Sequence, residues 1–123
     1  MKIDWQLKED NFPINKKKLT EVVKTILKEK GIGGKIELGI SIVDDKEIRQ
    51  LNEVHMKKKG TTDVLSFPLE KEKGPDGIIR LGDIVINIQQ ARRQAKKKEK
   101  TIGEEIEFLL NHGLLHLLGF HHD

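Results

Sequence analysis

The sequence predicts an α+β fold, a single domain over residues 1–123 built on a mixed β-sheet of about four strands flanked by helices. Three observations point there. The length suits one domain and is short for two. Segments of period two alternate along the chain with segments of helical period. Turn-forming residues, chiefly glycine and proline, separate them.

Residues 2–8 alternate and read as a first strand. Asn15 is a helix N-cap, and Leu19, Val22, Val23, Ile26 and Leu27 follow it at helical spacing until Gly31, Gly33 and Gly34 stop the helix. Ile36, Leu38, Ile40 and Ile42 alternate with Glu37, Gly39, Ser41 and Val43, the pattern of a strand with one buried face. Asp44 or Asp45 caps a second helix with an apolar stripe of Ile48, Leu51 and Val54. After the loop Lys57–Thr61, a short strand runs from Asp63 to Pro68. Gly74-Pro75-Asp76-Gly77 is a turn, and Ile78–Ile88 reads as a strand that makes a hairpin, or its longer equivalent, with the one before it. Residues 89–100 read as an exposed basic helix. Gly103–Leu118 is the last helix, apolar on most sides through Ile106, Phe108, Leu109, Leu110, Leu114, Leu117 and Leu118, as a core helix would be.

Composition narrows the chemistry. A hydrophobic fraction of 36% with a net charge of only +3 excludes a disordered chain. With no cysteine, disulfides and thiolate metal sites are excluded, so imidazole or oxygen must hold any metal. Aromatic residues are 4% and tyrosine is absent, a poor supply of stacking platforms for single-stranded bases. Met1–Gln6 lacks the apolar run of a signal peptide, and no later stretch approaches membrane-spanning length. The expectation is a cytoplasmic protein without membrane contact or a small organic cofactor. Charge is unevenly spread, with basic clusters at Lys16–Lys18, Lys57–Lys59 and Arg92–Lys100. Any one such cluster reads first as a solvated face. Grouped around one cleft they would track phosphates, which makes Lys57, Lys58, Lys59, Arg92, Arg93 and Lys96 the candidate nucleic-acid contacts.

The histidines carry the sharpest signal. His112 and His116 stand four residues apart on the last helix, so both imidazoles share one face with Cβ atoms roughly 5–6 Å apart. Gly119 then permits a left-handed turn, and His122 can return as a third ligand. Three protein ligands leave a fourth position for water, the arrangement of a catalytic zinc site. One zinc ion on His112, His116 and His122 is therefore expected, with nickel or iron as alternatives. A lone histidine on an apolar helix is usually a hydrogen-bonded core residue, but burying two uncompensated imidazoles would cost about 2–7 kcal/mol each. The spacing H-x-x-x-H-x-x-G-x-x-H is also that of the metzincin proteases, which carry a glutamate after the first histidine as general base. Here that position is Gly113, which argues against peptide hydrolysis by that route.

Taken as a block, His112-Gly113-Leu114-Leu115-His116-Leu117-Leu118-Gly119-Phe120-His121-His122 resembles the signature of the YbeY family of metal-dependent endoribonucleases. Thr62-Asp63-Val64-Leu65-Ser66-Phe67-Pro68 and Leu81-Gly82-Asp83-Ile84-Val85-Ile86 look like that family's other two motifs, in family order. The resemblance implies a cytoplasmic bacterial protein that cleaves single-stranded RNA. It implies maturation of the 3′ end of small-subunit ribosomal RNA, ribosome quality control, and the ribosomal small subunit as partner. It also implies a mixed sheet flanked by helices, with zinc at the bottom of a cleft. Two positions depart from the family pattern. Met56 stands where the family has an arginine implicated in activity, preceded by His55 in place of a tyrosine; His121 replaces the usual aspartate, so His121 and Asp123 also come within reach of the ion. Asp63, Ser66 and Asp83 read equally as structural and as site residues, and the catalytic base is unassigned. Two other functions fit the sequence: a different zinc hydrolase, such as a protease lacking its usual glutamate, and a ribosome-associated factor with a structural zinc.

Overall fold

Four strands, β1 (Lys2–Leu7), β2 (Lys35–Val43), β3 (Val64–Pro68) and β4 (Ile78–Asn87), form one sheet in the order β1-β2-β4-β3. The computed structural model that shows this describes residues 1–7, 14–69 and 73–120. β1 and β2 run parallel, as do β2 and β4, while β3 pairs antiparallel with β4. The sheet is mixed and four-stranded, as the alternating segments predict.

Four helices complete the chain: α1 (Lys16–Glu29), α2 (Asp45–His55), α3 (Ile88–Lys97) and α4 (Ile102–Leu117). Each begins where a short polar side chain accepts an otherwise orphaned backbone N–H. Asn15 accepts from Lys18 and Asp44 from Glu47. Asn87 accepts from Gln89 and Gln90. Thr101 and Glu104 form a reciprocal capping box, with bonds of 3.1 and 2.9 Å.

The alternation in β2 sends Ile36, Leu38, Ile40 and Ile42 to the face covered by α1 and α4, where they join Leu19, Val23, Leu109 and Leu114 in the main core. The opposite face is thinner. There α2 covers Val43, Leu65 and Val85 with Ile48, and Leu51 is only partly buried. Two expectations fail at the helices. Val54, read as part of the α2 stripe, is 69% exposed, because the buried face of α2 is carried by Ile48 and Asn52. Phe108, read as part of the core helix, is 49% exposed, because the buried face of α4 is carried by Ile106, Leu109, Leu110, Gly113, Leu114 and Leu117. β4 also ends at Asn87, and Ile88 opens α3 instead of closing the strand.

Candidate metal centre

α4 crosses the sheet beside its β3 edge, and one glycine sets how close it comes. A Cβ at Gly113 would lie 2.9 Å from Ile84 Cγ2 and 3.0 Å from Val64 Cγ2, both methyls on stiff β-branched side chains. Any side chain at the position after His112 would force those methyls aside. The helix is held there by Ser66, whose hydroxyl donates to the Gly113 carbonyl at 2.7 Å. Between the two readings of Ser66 the geometry favours the structural one: its proton is committed to backbone.

With α4 seated in this way, His112 and His116 emerge on one face with ring centroids 4.7 Å apart and planes inclined by 39°. Both are half-buried. They line a cleft of about 460 Å³ together with Asp63, Ser66, Met56, Lys58 and Lys59. Two imidazoles at this separation fit a shared ion, since each ring nitrogen can approach to about 2.0–2.1 Å. Phe108 continues the row one turn earlier, its ring 6.5 Å from that of His112 and inclined by 23°. Past the helix, Gly119 takes the left-handed conformation at φ +90°, and the Phe120 N–H closes the turn on the Leu115 carbonyl at 2.8 Å. His121, His122 and Asp123 lie outside the described residues, and among the described residues no group of three or more His, Asp or Glu is arranged to hold a metal ion.

Two side chains that the sequence does not flag, Asn52 in the cleft wall and Asn87 behind it, hold the segments around the cleft. Asn52, buried in α2, donates from Nδ2 to the Gly60 carbonyl at 3.1 Å, and its backbone carbonyl accepts from the Met56 and Lys58 N–H groups. The loop carrying Lys57–Lys59 is thereby folded back over the helix end. Asn87, fully buried, donates to Asp45, Thr61 and the Thr62 carbonyl while it caps α3. It fixes the segment that enters β3. Asp45 is also gripped by Arg93 through two bonds of 2.7 and 3.0 Å. The Arg93 hydrogen bonds lower its pKa to about 2, against the opposing effect of burial and with help from Asn87.

The basic candidates separate into two groups. Lys58 and Lys59 line the histidine cleft, with Lys57 beside them on the same loop. Arg92, Arg93 and Lys96 do not line it; Arg93 and Lys96 border a separate groove on α3, and Arg93 is engaged by Asp45. Asp83 lies on the other face of the sheet, over Gly39, in a second cavity with Ser41, Glu47, His55 and Phe67. His55 packs edge-on against Phe67 at 5.4 Å.

The sequence and the fold have counterparts among known proteins. The family profile described as Endoribonuclease YbeY matches residues 4–123. Proteins named Endoribonuclease YbeY from Aquifex aeolicus and Moorella thermoacetica are each 41% identical, over 89% and 85% of this chain and 71% and 72% of their own length. One from Myxococcus xanthus is 49% identical over 72% of this chain, which spans only 30% of that relative. The solution structure of a Thermotoga maritima protein superposes with a TM-score of 0.62 at 27% identity, covering 98% of this chain and 75% of the other.

Proposed function

This chain belongs to the YbeY endoribonuclease family, and from that premise we propose that it is a zinc-dependent, single-strand-specific endoribonuclease acting on ribosomal RNA. In this reading His112, His116 and His122 hold one zinc ion, with nickel or iron able to take its place. The 3′ end of small-subunit ribosomal RNA is the substrate, ribosome quality control the setting, and the cytoplasm the location. No helix among the described residues is long and apolar enough to cross a membrane.

The observation that supports this reading most is the pairing of two imidazoles 4.7 Å apart with lysines on the rim of the same cleft. When bound, the metal supplies Lewis-acid chemistry and lowers the pKa of a coordinated water toward about 7. The protein's own groups do the rest. Lys58 and Lys59 neutralise backbone phosphates and draw a strand into the cleft. Asp63 is the one carboxylate lining the cleft among the described residues, and in this reading it accepts the proton of the attacking group. Thr61 and Thr62, fixed by Asn87, hold the segment that orients it.

The protease reading lacks its usual base, because position 113 is glycine and even a Cβ there would crowd Ile84 and Val64. The reading as a ribosome factor with structural zinc keeps one observation in its favour. Met56 lines the cleft where the family arginine would stand, and a thioether cannot contact phosphate. Zinc-loaded protein incubated with single-stranded ribosomal RNA separates the readings. Cleavage that disappears in a folded His112→Ala/His116→Ala variant supports the enzyme. Binding without cleavage supports the factor.

A further inference from the structure

The exposed ring of Phe108 stands apart from the other surface apolar residues. Two ammonium groups lie over it, Lys98 Nζ at 4.3 Å and Lys100 Nζ at 4.8 Å from the centroid. Neither is a freely waving surface lysine. Both bond the carboxylate of Glu105 at 3.0 Å, and Glu105 is itself 0% exposed and further held by Gln94 Nε2 at 2.7 Å. Burial pushes the Glu105 carboxyl up, but the bonds from Gln94, Lys98 and Lys100 outweigh it and keep the group below its ordinary value. Lys98 and Lys100, bonded to Glu105 and with Glu104 also drawing on Lys100, thus stand beside an aromatic ring that is 49% exposed.

The ring also points along the reaction site. It precedes His112 by one helical turn and lies within 23° of parallel to that imidazole. Single surface phenylalanines are ordinary and need no explanation. A phenylalanine whose flanking cations are tethered by a buried carboxylate, and whose ring lies near-parallel to that of a candidate ligand, is a built arrangement.

We propose that Phe108, Lys98 and Lys100 form a subsite for one unpaired nucleobase and its phosphate, immediately next to the histidine pair. The inference rests on the ribonuclease reading and adds to it where the strand is gripped. An entering base displaces the two ammonium groups from the ring face and stacks there whatever its identity, because every base has a π face, and the displaced ammonium groups turn to its phosphate. Such a subsite selects unpaired RNA, since a base inside a duplex cannot present its face to Phe108.

The test measures binding of the metal-loaded chain to two labelled RNA strands of equal length, with a gel check that each stays intact. One strand carries its bases and the other is abasic. The parent should prefer the base-bearing strand by roughly tenfold. Phe108→Leu should bind both strands as the parent binds the abasic one, and Phe108→Trp should keep the preference. Equal affinity of the parent and Phe108→Leu for the base-bearing strand overturns the subsite. Should Phe108→Leu fail to fold, Phe108→Trp decides: its indole fluorescence must be quenched by RNA beyond the change in Trp5, the chain's single tryptophan, and an unchanged signal overturns the proposal. A parent that binds the base-bearing and the abasic strand equally sinks only the subsite. A parent that binds no single-stranded RNA sinks the ribonuclease reading with it.

Discussion

The sheet carries a cavity on each side, about 460 Å³ beside α4 and about 510 Å³ beneath α2, and the two are built on different rules. On the α4 side two imidazoles share one rigid, buried helix, and the loops around them are pinned by Asn52, Asn87 and Ser66. On the α2 side Glu47 and His55 come from a helix with a thin apolar footing, Asp83 comes from β4, and His55 packs against Phe67. Equal volume does not make equal sites. What separates them is whether side chains of the right chemistry are aimed together by an element that cannot easily move.

Substitutions at Gly113 and Gly39, one glycine on each side of the sheet, should expose that difference most strongly. Gly113→Val forces methyls against Ile84 and Val64 and should cost about 3 kcal/mol or more by overpacking, with loss of the aligned histidines. Gly39→Ala on the other side meets only the carboxylate end of exposed Asp83, which can swing away, and should cost under about 1.5 kcal/mol. Chemical denaturation of both variants checks the contrast, and equal losses would break it.

Next in size is Glu105→Ala. It removes a buried carboxylate from two lysines and Gln94 and should cost about 2–3 kcal/mol, because the ammonium groups can partly retreat to water. Asp45 should contribute about 1–2 kcal/mol after allowance for the exposure of Arg93. Its depressed pKa fixes the direction: the contribution is complete above pH 3.8 and is lost as pH falls toward about 2. Denaturation of the parent and Asp45→Asn should therefore differ at neutral pH and converge in strong acid. Ser66→Ala, which removes the bond to the Gly113 carbonyl, should lose about 1 kcal/mol. If cleavage falls far more than this stability loss explains, Ser66 takes part in the chemistry.

The readings that local pattern can carry were legible in the sequence. The β2 alternation, the caps at Asn15 and Asp44, the histidine row and the turn at Gly119 each depend on neighbours within a few positions. The cleft wall was not legible. Asn87 reaches Asp45 across 42 residues and Ser66 reaches Gly113 across 47, and no periodicity records such contacts. Phe108 misled because its helix is apolar almost all round, which hides which side faces water. The split between Lys58 and Lys59 on one hand and Arg92, Arg93 and Lys96 on the other follows from where α3 packs, not from charge density.

Metal stoichiometry tests the central claim most directly. Freshly purified chain should carry one equivalent of zinc, nickel or iron, and His112→Ala/His116→Ala should carry none while keeping its helical circular dichroism. A folded parent devoid of metal after zinc addition, or a double variant that still retains one equivalent, would contradict it.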